Sequence, residues 1–234
     1  MQPIRIGDES RAATRALAAH FDQAAAAWEP LLGRARIEAL RGDLAMLERL
    51  DRQYGGHAPL PLEDAGELAG RVLAGLGRLE GDLADSPARE DLADLVLGVV
   101  LWALRHEVEI AVLEPVVNAL AHRSNRARSR AELAAVFGLM QGVIAHLSPR
   151  LSADLERSNP DRPWRALHLN LAITAIRTED PGMMGFAFDA LEGALPDERA
   201  GFFAEALALA LAPGIGDEVR DLIEQRHLKW TGGP

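Results

Sequence analysis

The sequence predicts an all-α protein built from antiparallel helix–turn–helix units, about 10–12 helices in all. Three observations lead there. Ala and Leu dominate an apolar fraction of 48 %, while aromatics make up only 5 %, and both residues lose little on entering a helix. Apolar residues recur at helical spacing nearly end to end, with no convincing alternation that would mark a strand. Ser86-Pro87, Ser148-Pro149 and Asp180-Pro181 each set a capping side chain before a proline, and proline suits the first helical position, where its missing N–H costs nothing.

The helices expected in order are 10–28, 31–41, 43–54, 63–83, 87–105, 107–122, 129–147, 149–157, 163–178, 181–194, 197–211 and 217–228. The stretch YGGHAPLP (54–61) is rich in turn formers and reads as a linker. The expected division is an N-terminal helical segment 1–53 packed on the rest, a linker 54–62 and a helical-repeat domain 63–234, with one continuous domain over 1–234 as the alternative. Within LWALRHEVEIAVLEPVVNAL (101–120), a helix running on through Pro115 would lose a hydrogen bond and clash with its preceding turn. A break is therefore expected near Arg105-His106, leaving those charges on an exposed elbow. Ser129 and Glu132 form a capping box ahead of the apolar run LAAVFGLM.

A repeat runs through the middle of the chain. PVVNALAHRSNRARS (115–129) aligns with PRLSADLERSNPDRP (149–163), matching Pro115 to Pro149, Arg123-Ser124-Asn125 to Arg157-Ser158-Asn159, and Arg128 to Arg162. Pro181 and Pro213 extend a spacing of about 32–34 residues, within the range of helical repeats. In period and architecture this resembles a tetratricopeptide- or HEAT-like α-solenoid. The Trp, Leu-Gly, Tyr, Ala and Phe signature of the tetratricopeptide repeat is absent, so the resemblance implies an architecture and no family. A compact multi-helix array satisfies the same pattern.

Charge and composition exclude several functions. The net charge of −10 opposes general binding to nucleic acid or anionic membrane. With no cysteine there is no disulfide, thiolate metal site or cysteine nucleophile. The N-terminal MQPIRIGDESR lacks the apolar core of a secretory signal. The longest apolar stretch, GFFAEALALALA (201–212), is too short to cross a bilayer and carries Glu205, so a cytoplasmic protein is expected. Of the 25 basic residues only Lys229 is a lysine.

The stretch HRSNRARSR (122–130) packs four arginines into an acidic chain, and Arg126, Arg128 and Arg130 are the candidate contacts for an anionic partner. The aligned copy replaces these surroundings with Asn-Pro-Asp, which favours turn chemistry over a phosphate grip. A second constellation is Arg105, His106 and Glu109. Arg105 and Glu109 stand four apart, a pairing distance on a helix, but two potential ligands in His106 and Glu109 do not make a metal site. His168 falls on the apolar arc of its helix with Trp164 and Leu171, the usual place of a hydrogen-bonded core histidine. Trp28, Trp102, Trp164 and Trp230 are expected as core or interface anchors, and Met183, Met184, Phe186 and Phe188 as core, with an adaptable apolar surface as the less favoured alternative.

No dinucleotide, P-loop, nucleophile-elbow or EF-hand pattern is present, so no cofactor is expected. The functional expectation is a non-catalytic scaffold that presents a helical groove to another protein or peptide segment. The alternative is a small-molecule or enzyme pocket between helices, drawing on Arg105, His106, Glu109, Trp164 and His168. Self-association through the Ala/Leu-rich helices within 181–211 is a third expectation.

Overall fold

A computed structural model of the chain describes residues 17–54, 64–82, 89–148, 162–211 and 215–231. The described residues form ten helices: α1 Leu17–Leu32, α2 Arg34–Gln53, α3 Asp64–Asp82, α4 Arg89–Arg105, α5 Glu114–Arg126, α6 Arg130–Ala145, α7 Pro163–Thr178, α8 Pro181–Ala194, α9 Arg199–Ala210 and α10 Asp217–Thr231. No strand occurs among them, and the one bridge joins Ile110 to Leu147 in parallel. The all-α expectation is met.

Helices α7 and α8 take the bounds that the sequence predicts. Asp180 accepts a hydrogen bond from the Met183 N–H at 2.8 Å, with Pro181 opening the helix. Ser129 caps as expected, its Oγ accepting from the Glu132 N–H at 3.2 Å, while the Glu132 carboxylate accepts from the Arg128 N–H at 2.7 Å, one residue before the N-cap position that a capping box uses. The expected helix 149–157, the second repeat copy as far as residue 161, the linker 55–61 and Ser86-Pro87 lie outside the described residues.

Two expectations are corrected. The helices placed at 31–41 and 43–54 are one helix, α2, because Gly42 is exposed and its small helix cost is outweighed by a continuous buried stripe of Ile37, Leu40, Leu44, Leu47 and Asp51. The helix expected from residue 107 begins at Glu114 instead. Helix α4 ends with Glu107 in the left-handed region at φ 54 and the Val108 N–H bonded back to the Ala103 carbonyl at 2.9 Å, the geometry of a Schellman cap. The chain then runs extended, and Ile110 donates to His146 O at 2.8 Å and accepts from Ser148 N at 3.1 Å.

The chain divides into two compact units, Met1–Asn125 with Gly138–Leu155, and Arg126–Phe137 with Glu156–Pro234. In the first unit α1 packs on α2, α2 on α3 and α3 on α4, and α4 closes the ring on α1. Pairs across each seam give the directions. Asp22 meets Arg41 while Ala18 meets Glu48, so α1 and α2 are antiparallel. Arg36 meets Asp82 while Asp43 meets Arg71, so α2 and α3 are too. Leu47 and Asp51 meet Trp102 and Arg105 in the same order, so α2 and α4 run parallel across the centre. This is the up-down-up-down arrangement of a four-helix bundle.

In the second unit α7 pairs with α8, α9 with α10, and α8 with α10. Helix α9 begins 36 residues after α7 (163 to 199), and α10 begins 36 after α8 (181 to 217). Phe188 and Phe203 meet edge to face at 5.1 Å between ring centres. Glu192, on α8, accepts from Arg226 at 2.8 Å and from Lys229 at 2.6 Å, both on α10. Burial alone would raise the Glu192 carboxyl, but the hydrogen bonds from Lys229 and Arg226, among others, hold it below the usual carboxylate range. Arg199 lies over the Trp230 ring, 3.6 Å from its centre.

Glycine allows close packing where Gly142 of α6 faces α4: a Cβ there would stand 2.8 Å from Leu104 Cδ1. Replacing Gly142 with valine is expected to destabilise the protein by about 1–3 kcal/mol through overpacking, read as a lower urea midpoint at unchanged slope.

Candidate functional site

Apolar stripes normally carry apolar residues, so a charged residue on a stripe must meet a partner in the core. Asp51 stands on the α2 stripe two positions before the helix ends, and Arg105 closes α4 on the bundle's other diagonal. The two side chains form a hydrogen-bonded ion pair, 2 % exposed for Arg105 and 0 % for Asp51. His106 Nε2 lies 3.2 Å from the same Asp51 oxygen. A carboxylate only accepts, so in this contact His106 Nε2–H is the donor. The His106 ring packs against Trp102, 5.0 Å between centres, and the Trp102 indole donates to Leu47 O at 3.1 Å.

The exposed elbow expected at Arg105-His106 is therefore corrected. The break is real, but the Schellman turn carries Glu107 and Glu109 outward and leaves Arg105 and His106 facing the bundle interior. Because the segment after Arg105 is not helical, Arg105 and Glu109 do not share a helix face. Asp51 is the residue that sequence reading missed. Its signal is the heptad-like run Ile37, Leu40, Leu44, Leu47, Asp51, which becomes visible only when α2 is read unbroken through Gly42.

The other predicted pair, Trp164 and His168, lies on α7 in the second unit. The rings meet edge to face at 5.3 Å, and His168 Nδ1 donates to Trp164 O at 2.8 Å. His168 is 7 % exposed, as the apolar arc implied. Burial lowers its pKa, against the smaller opposing effect of the Trp164 bond, so the ring is neutral at pH 7. Beside it, Arg165 pairs with Glu198.

The arginine-rich stretch spans the end of α5, a short turn and the first residue of α6. Arg130 pairs with Glu179, while Arg126 and Arg128 are exposed. No group of three or more His, Asp or Glu that could hold a metal occurs among the described residues. No helix among them is long and apolar enough to cross a membrane.

An apolar surface is found on the α7/α8 hairpin. Ile173 is 46 % exposed and Phe186 40 % exposed. Ile173 lies five residues before Thr178, and Phe186 five after Pro181, so the two sit level on neighbouring helices. Ile176 and Met183 are half-buried beside them, whereas Met184 and Phe188 face the core at 0 % and 1 % exposure. The four-residue cluster expected as core is thus split by helical phase. Phe137 of α6 touches Phe186 edge to face at 6.2 Å.

The chain matches no protein-family model, and neither the curated proteins nor the solved structures contain a match to it.

Two stability outcomes follow from this geometry. Asp51→Asn removes the carboxylate shared by Arg105 and His106 and is expected to cost about 3–5 kcal/mol, whereas Asp51→Leu with Arg105→Met recovers most of that in the same denaturation assay. His168 has a folded pKa below its unfolded value, so its contribution is complete above about pH 6.5 and shrinks as pH falls toward the folded value. His168→Gln should therefore flatten the loss of stability between about pH 7 and pH 5, measured by urea midpoints at each pH.

Proposed function

We propose that the protein is a non-catalytic interaction module that docks a segment of another protein on the outer face of the α7/α8 hairpin. The observation that carries this reading is the exposed pair Ile173 and Phe186 at the same level of adjacent helices. Burial of the exposed parts of these two large apolar side chains against a partner would be favourable. An amphipathic helix lying across such a face would read them as anchors. The equal 36-residue offsets of α7 to α9 and α8 to α10 support a stacked-hairpin, solenoid-like array in this unit. The net charge of −10 favours a partner whose flanks are basic.

A catalytic pocket built on Arg105, His106, Glu109, Trp164 and His168 has less support. The Arg105 and His106 side chains are 2 % and 0 % exposed and already held by Asp51, so a substrate has no approach to them. Self-association has one observation in its favour: Leu209 and Leu211, at the end of α9, are 74 % and 66 % exposed.

A photoreactive phenylalanine analogue placed at Phe186 should yield a discrete crosslinked partner in the native lysate, while the same group at the exposed Gln225 should not. Ile173→Asp with Phe186→Asp should abolish capture; because Phe186 also packs on Phe137, some loss of melting temperature is expected, and a cooperative transition above the assay temperature shows that the variant is folded. Equal labelling from both positions, or none, removes the proposal. Sedimentation over a range of concentrations reads out self-association separately, and Leu209→Glu with Leu211→Glu should dissolve any dimer.

A further inference from the structure

The seam between α2 and α3 in the first unit is open along part of its length. Ala39 and Ala74 lie on it, and their short side chains leave a trough of about 280 Å³. Gly75 lets α3 approach α2 closely, with the Leu40 side chain occupying the place of a Cβ. Leu40 and Leu79 complete an apolar floor.

The two ends of the trough differ in charge. Asp43 and Arg71 pair at 3.4 Å and neutralise one end. The antiparallel register, with residue 36 opposite 82 and 43 opposite 71, puts Arg36 and Arg78 at the other end. Arg36 is paired with Asp82 at 3.0 Å, while Arg78 is exposed and has no carboxylate partner among the described residues. That end therefore keeps a surplus positive charge on a chain whose net charge is −10. Arg71 and Arg78 are two helical turns apart, so the trough is about 10 Å long.

An apolar floor of that length with a cationic mouth suits a ligand with one anionic head and one short tail. We propose that this trough binds a single-chain anionic amphiphile, a medium-chain carboxylate in free form. Its head is held by the guanidinium groups of Arg78 and Arg36, whose planar forks match a carboxylate. Its tail covers Ala39, Leu40 and Ala74. The volume stands at the lower edge of small-molecule sites, which run from roughly 300 Å³ upward, and this limits the tail to a short chain. The site is independent of the α7/α8 face.

The test titrates the full chain with sodium octanoate by calorimetry, alongside octan-1-ol and phosphatidylglycerol vesicles. Octanoate should bind saturably with one site, and octanol about tenfold more weakly, since one charge-assisted hydrogen bond is worth about that factor. The vesicles should not bind. Arg78→Ala, in an exposed helical position where alanine is tolerated, should weaken octanoate about tenfold at unchanged melting temperature. Ala74→Phe should abolish binding by filling the trough, and retention of the wild-type helical signal shows that this variant folds. No saturable octanoate binding by the wild type overturns the proposal. So does equal affinity for octanol, binding to vesicles alone, or octanoate binding undiminished in Arg78→Ala.

Discussion

A guanidinium inside a helical bundle allows the helices little freedom. Arg105 and Asp51 are both shut away from water, and each can be there only because the other is. Sliding α4 along α2 by one turn, about 5.4 Å, would strand both charges in the core. The Trp102 indole adds a second fixed point on the same diagonal by donating to Leu47 O. Apolar residues such as Leu44 and Leu76 supply most of the burial, yet such contacts tolerate several registers. The charged pair selects one. His106 joins it by donating a hydrogen bond from Nε2–H to the same carboxylate oxygen.

The second unit joins its hairpins differently. Its ion pairs are nearer the surface: Arg226 reaches Asp189 and Glu192, and their side chains range from 9 % to 71 % exposed. Solvent weakens each such pair, so shape carries more of the specificity. Phe188 against Phe203 and Arg199 over Trp230 supply directional contacts that simple apolar burial lacks.

The fold class was legible because helical periodicity and caps are local. Asp180, Pro181 and Ser129 each act within one turn of their own position, and the structure uses them as expected. The failures were at places decided by distant contacts. Gly42 looks like a break when read with its neighbours, but a buried stripe carries the helix through it. The segment 108–113 has helical spacing, yet Ile110 finds its hydrogen bonds at His146 and Ser148 instead. The candidate site was half legible. Arg105 and His106 stood out as charges in an apolar run. Their partner Asp51 is more than fifty positions away, and no local pattern links them. His168 was the easier residue, since its partner Trp164 lies one turn back on the same helix.

Lys229 is the sole side-chain amine in this sequence, and half of it is open to solvent. Amine-selective reagents therefore meet a single lysine, on the helix that docks against α8. A fluorophore attached there would also erase the positive charge that Glu192 holds at 2.6 Å. The same chemistry would thus mark the α8–α10 junction and loosen it, and a label meant to observe this junction is better carried by another side chain.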